Sequence, residues 1–125
     1  MTIVINNQGG FGNTEAFEFV DIDASIKPSD LDELRYASAI RIVFGSCADG
    51  RFLTLARQLR LRGYSGHIRA AGPLLPDQFP MALKLGIDSV EISSEQAARC
   101  TEDQWIAHAS RTEGNYQHRL AGLNV

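Results

Sequence analysis

The feature that most constrains this chain is a regular alternation of short apolar runs and amphipathic runs that begins at residue 39. Ala39 to Phe44 is a short apolar stretch broken only by Arg41, and Gly45-Ser46-Cys47-Ala48-Asp49-Gly50 follows as a loop. From Arg51 to Arg62 the residues Phe52, Leu55, Ala56 and Leu59 recur at the spacing of one helical face, which predicts a helix. Gly63 stands just past it, where a left-handed residue is wanted, and Arg60 and Arg62 suit its negative end. His67 to Ala71 predicts a second strand, closed by Gly72-Pro73. Leu74 to Leu85 predicts a second helix with Gly86 as its stop. Pro80 lacks a backbone donor, so the regular part is expected to begin late, with Pro80 near its first turn. Asp88 to Ile92 predicts a third strand. Ser93 with Gln96 and Thr101 with Gln104 have capping-box spacing, so 94–110 is one bent helix or two short ones, with Trp105, Ile106 and Ala109 facing inward.

Strands alternating with helices call for crossover connections and a parallel sheet. The expected fold is therefore α/β: a small, open, mostly parallel sheet with a βαβαβα core over residues 39–110. Helices are expected on both faces, and the alternative is an incomplete β/α barrel. The first third reads differently. Thr2 to Asn6 and Ala16 to Ile22 both suit strands, and the turn formers of Asn7-Gln8-Gly9-Gly10-Phe11-Gly12-Asn13 lie between them. An N-terminal strand pair, joined as a hairpin through a flexible loop, is expected there. Ser29 or Asp30 is placed to cap a short helix over residues 30–34.

With no repeat or linker, residues 1–125 read as one domain, a usual length for a domain. Hydrophobic residues make up 44% and charged residues 22%, which excludes disordered and disulfide-scaffold classes. No run approaches the ~18 apolar residues that a membrane span needs. Cys47 and Cys100 form no metal or disulfide pattern, and a reducing cytoplasm is the expected location. His67, His108 and His118 lie far apart in sequence, so no metal site is expected. No cofactor fingerprint is visible either, since Gly9-Gly10-Phe11-Gly12 lacks the dinucleotide spacing.

The formal net charge of −3 hides an asymmetry. Residues 51–69 contain Arg51, Arg57, Arg60, Arg62 and Arg69 and no acid, a block of +5 that leaves −8 over the rest. Such a block suits a small anion or an acidic partner better than nucleic acid. Ligands of open α/β sheets bind outside the carboxyl ends of the strands. That rule selects the loops 46–51, 71–77 and 93–96. The first places Asp49, Gly50 and Arg51 at a helix start, with unpaired N–H groups, room for close approach and a guanidinium to grip an oxyanion. In the other reading, Asp49 caps the helix and Gly50 makes the turn. Arg69 lies near a strand end and is counted with them, while Arg57, Arg60, Asp77, Gln78 and Glu91 are supporting positions. A cation near Cys47 could lower its pKa, but no resolving cysteine or base accompanies it. No catalytic constellation is visible.

The spacing Asp49-Gly50-Arg51-Phe52, Ala56-Arg57, Leu59-Arg60, Gly63-Tyr64, Gly66, Arg69-Ala70, Gly72, Leu75, Asp77-Gln78, Gly86, Asp88 and Glu91 resembles the domain of unknown function 934 family. Tyr116-Gln117 is similar to that family's closing pair, so the resemblance covers residues 39–117. Gly72-Pro73 departs from the family's Gly-acid pair, and residues 1–38 match it poorly. Members are bacterial proteins labelled as oxidoreductases of sulfite reduction and accompany genes for sulfite and activated-sulfate reductases. The resemblance thus implies an accessory protein or oxidoreductase component of assimilatory sulfite and sulfate reduction. Its expected partners are sulfite reductase or another sulfur-assimilation enzyme and a small anion. The alternative is a non-catalytic module that forms a homodimer or binds an acidic partner. The resemblance carries no reaction, catalytic residue or cofactor.

Overall fold

The alternation seen in the sequence becomes a five-stranded sheet in a computed structural model, which describes residues 2–12, 18–46 and 50–109. The strands are β1 (Thr2–Ile5), β2 (Phe19–Asp23), β3 (Ala39–Val43), β4 (His67–Ala71) and β5 (Ser89–Ser93). The helices are α1 (Arg51–Leu61), α2 (Phe79–Lys84), α3 (Ser94–Arg99) and α4 over 102–109. The sheet order is β1-β5-β4-β3-β2. Strands β2 to β5 are parallel neighbours in chain order, and β1 closes the far edge antiparallel to β5. The sheet is open and does not close into a barrel.

This order decides where the helices go. Each step from β2 to β5 moves to the next strand in the same direction, so crossovers of one hand all land on one face. Register places Ile22, Ile40, Ile42, Ile68, Ala70, Val90, Ile92 and Ile5 together on that face. They form one buried cluster with Phe52, Leu55, Ala56 and Leu59 of α1, Phe79 and Ala82 of α2, and Trp105 and Ala109 of α4. Helices on both faces, as expected from the alternation alone, are not seen among the described residues. A sheet of this size gets a second helical layer only when the strand order reverses direction.

The N-terminal strands also differ from expectation. The chain turns back at once, with Asn6 N–H bonded to Gly10 O at 2.9 Å and Gly12 N–H to Val4 O at 2.9 Å. That return makes a single bridge, Ile5 to Phe11. β1 and β2 then occupy opposite edges of the sheet, so no hairpin joins them. The intervening loop is pinned to α4. Gly9 has φ +89 and packs so closely that a Cβ there would lie 2.5 Å from Ile106 N. Glu102 accepts the Phe11 N–H at 2.8 Å. Asn6 Oδ1 accepts the N–H groups of Gln8 and Gly10.

Most local readings hold to within a residue or two. Gly63 ends α1 at φ +88, which L side chains rarely adopt. Pro80 lies in the first turn of α2, after a 3-10 turn over Pro76–Gln78. The segment after β5 is two helices, and Ser93 Oγ caps the first by accepting Gln96 N–H at 3.1 Å. Gln96 does not complete the box, because its buried side chain donates to Leu74 O instead. Trp105 is fully buried, edge-on to Phe79 at 5.3 Å, whereas Ile106 is 40% exposed and does not face inward. The stretch after β2 is a 3-10 helix, Pro28–Leu34, that starts from Lys27 without a side-chain cap from Ser29 or Asp30.

Candidate functional site

The face of the sheet opposite the core is ionic. β3, β4 and β5 each carry one charged residue between two apolar ones: Ile40-Arg41-Ile42, Ile68-Arg69-Ala70 and Val90-Glu91-Ile92. Alternation sends the apolar residues to the core and the charges to the other face. Arg41 grips Asp21 of β2 with two parallel bonds, at 2.7 and 3.0 Å, and reaches Glu91 Oε1 at 3.3 Å. The Asp21 bond, followed by opposition from burial, leaves the Arg41 guanidinium held in its charged form beyond the ordinary range. Arg69 Nη1 lies 3.7 Å from the same Glu91 oxygen, and Arg69 Nε donates to Ser89 Oγ at 2.9 Å. The Phe19 ring lies under both guanidinium groups, at 4.5 Å from Arg69 and 5.3 Å from Arg41. His67 Nε2 shares a 2.7 Å hydrogen bond with Ser89 Oγ.

Two acids thus balance two bases, and Arg69 is only 3% exposed. This cluster is a charge-neutral layer that ties β2 to β5 across the sheet. Of this cluster, Arg69 and Glu91 stand out in the sequence as strand-end positions, whereas Asp21, Arg41, Phe19 and Ser89 do not. The apolar-charge-apolar triplet, which also occurs as Val20-Asp21-Ile22 in β2, is the signal that would have found Arg41 and Asp21, but nothing local marks Phe19 or Ser89.

The two ends of the sheet carry clefts. At the carboxyl ends of β2 and β3 a cleft of about 470 Å³ is lined by Asp23, Ala24, Val43, Phe44, Gly45, Ser46 and Arg51. Arg51 is exposed and opens α1, whose first turn contains no acidic residue. Gly50 is the N-cap, with φ −72 and nothing within 4 Å of a Cβ, so neither backbone nor packing demands a glycine. Asp49 and Cys47 lie outside the described residues, as do Tyr116, Gln117 and His118. A smaller cleft of about 270 Å³ follows β4 and β5, where Glu91, Gly72, Pro73 and Gln96 meet Thr2.

The larger cleft, about 750 Å³, is at the amino ends of the strands and includes Arg60, His67, Lys84 and Asp88. There Arg60 spends its donors on the protein itself. Nε and Nη2 bond Gly86 O at 3.1 and 2.8 Å, Nη1 bonds Tyr64 O at 2.9 Å and Gly66 O at 2.8 Å, and Nη2 bonds Asp88 at 2.7 Å. A guanidinium has five N–H groups, so this one is committed to structure. Arg60, expected as a supporting position for an anion, is instead held by the protein itself. Arg57 is exposed, and Arg62 pairs with Asp32 at 3.1 Å. Asp77 is exposed in the 3-10 turn, and Gln78 Oε1 accepts the Leu75 N–H at 3.0 Å. The structure therefore brings Arg69 and Glu91 together on the sheet face and sets Arg51 in a separate cleft.

A family model described as a bacterial protein of unknown function, DUF934, matches residues 20–124. The chain belongs to this family. The match takes in β2 to α4 and therefore the ionic sheet face and the carboxyl-end cleft alike. No curated protein and no solved structure matches the chain. Among the described residues, no three His, Cys, Asp or Glu side chains converge as a metal site would require. No helix among them is long and apolar enough to cross a membrane.

Proposed function

We propose that this DUF934 protein is a small cytoplasmic accessory protein or component of assimilatory sulfite and sulfate reduction that binds an oxyanion in the carboxyl-end cleft. The observation that carries the anion reading is Arg51, exposed at the acid-free first turn of α1 and lining that cleft beside Ser46. A guanidinium, a hydroxyl and the first N–H groups of an 11-residue helix are all donors, and the helix dipole adds positive potential. The link to sulfur chemistry comes from the family resemblance. Arg69, counted with Arg51 from the sequence, stands apart from this cleft, since its guanidinium already contacts Glu91, Ser89 and Phe19 in the charge-neutral layer.

Calorimetric titration of the purified chain with sodium sulfite and sodium sulfate tests the site, and co-purification with sulfite reductase tests the partner. Saturable oxyanion binding that weakens about tenfold in Arg51→Ala, the equivalent of about 1.4 kcal/mol, supports the assignment. Absence of binding, or binding unchanged in Arg51→Ala, overturns it.

A further inference from the structure

The loops after β4 and β5 also lie at the carboxyl ends of parallel strands, where open sheets bind ligands, and they frame the cleft of about 270 Å³. Gln96 lines it and is only 6% exposed. Its Nε2 donates to Leu74 O, while its Oε1 accepts no hydrogen bond from any described residue. Among the described residues every sealed side-chain nitrogen or oxygen has a partner, so this oxygen is not sealed and opens on the cleft. Buried amides are nearly always paired, so one held this deep with its acceptor turned to a cleft points to a donor from outside. Glu91 supplies a second acceptor on the same cleft. Its Oε1 contacts Arg41 and Arg69, its Oε2 accepts no bond from any described residue, and its side chain is only 16% exposed.

These acceptors select the ligand. A carboxylate or an oxyanion would set oxygen against oxygen. An ammonium gains little, because the charge of Glu91 is already met by guanidinium groups at 3.3 and 3.7 Å. A neutral NH2 group offers two donors and no net charge. Ala71, Pro73 and Ile92 add carbon surface, and the volume suits one ring better than a larger molecule. We infer that the cleft binds a small ring compound through a neutral NH2 group, of a primary carboxamide or a ring amine, that donates to Gln96 Oε1 and Glu91 Oε2. The inference goes beyond the oxyanion reading, since this cleft shares no lining residue with the one that holds Arg51.

Five probes of like size, titrated into the full chain and followed by nuclear magnetic resonance, separate the possibilities. Benzamide and aniline carry the neutral NH2 on a carboxamide and on a ring, methyl benzoate lacks the donors, benzoate is anionic and benzylamine cationic. Benzamide or aniline is expected to bind about tenfold tighter than the other three, the worth of a hydrogen bond to a charged or buried acceptor, and to shift the Gln96 side-chain amide signals. The tighter of the two identifies the source of the NH2 group. Gln96→Met removes one acceptor, and Ala71→Leu fills the cleft while leaving both acceptors in place. A thermal melt checks each fold, and either folded variant is expected to abolish the preference. A preference that survives in a folded variant overturns the inference, and so does methyl benzoate binding as tightly as benzamide and aniline. Benzylamine or benzoate binding tightest overturns it in favour of a charged ligand. No binding by any probe also overturns it, and leaves the oxyanion reading to its own titration.

Discussion

Arg51 and Arg60 sit at opposite ends of one helix, and each lines a cleft at its own end of the sheet. The amino-end cleft is the larger, yet its arginine is consumed by three carbonyl groups and Asp88, which itself also accepts the Ile68 N–H at 2.9 Å. That arrangement joins the end of α1 to the turns before β4 and β5, and Tyr64 reinforces it by donating to Ala37 O at 2.9 Å. At the carboxyl end the arginine is exposed and flanked by a hydroxyl, a carboxylate and an apolar surface. Cleft size alone therefore misleads here, since the bonds made by Arg60 mark the larger, amino-end cleft as part of the scaffold.

The comparison can be broken by substitution. Arg60→Ala has the largest expected effect on stability, a loss of about 3 kcal/mol in denaturant unfolding, because it strands partly buried carbonyls and Asp88 together. Arg60→Lys should recover only a fraction of it, since one ammonium cannot span those acceptors. A loss under about 1 kcal/mol for Arg60→Ala would show that the clamp is not structural. Next comes Arg69→Ala, with an expected loss of about 2 kcal/mol, as Glu91 and Ser89 lose a partner on a nearly buried face.

Tyr64 gives a smaller, pH-dependent effect. Burial raises its pKa, and the Arg60 charge opposes this only in part. The unfolded chain therefore loses the phenolic proton near pH ~10 while the native chain still holds it. Stability from this source is complete below that pH and falls as pH rises through the native value. Tyr64→Phe should flatten the alkaline limb of a stability–pH profile, and an unchanged limb would contradict the assignment. The smallest effect on stability is expected for Arg51→Ala, within about 0.5 kcal/mol of the parent chain. If Arg51→Ala proved as damaging as Arg60→Ala, the functional contrast between the two ends would collapse.

Much of the fold was legible because local chemistry determines it. The helical spacing of Phe52, Leu55, Ala56 and Leu59, the glycine stop at 63 and Pro80 in a first turn each report on a few neighbouring residues. The loop at 7–12 was misread as flexible because its turn formers describe only local freedom. What orders it is contact with Glu102 and the backbone of Ile106, more than 90 residues away. The carboxyl-end cleft was found in part. The strand-end rule pointed to Arg51, but Asp23 was not singled out, because β2 was assigned to a hairpin and not to the strand beside β3.

By itself, the sequence determined a mostly parallel α/β chain, most element boundaries and the strand-end loop that carries Arg51. Periodicity and turn chemistry act within a few residues, so they survive without knowledge of the rest. Only the tertiary structure decided that β1 and β2 take opposite edges, that the helices share one face, and that Asp21, Arg41, Arg69 and Glu91 meet on the other. Those outcomes depend on strand order and register, which bring together residues 20 to 50 positions apart. The same register that buries the isoleucines in the core sets the charges against one another, and no local pattern encodes which strand lies beside which.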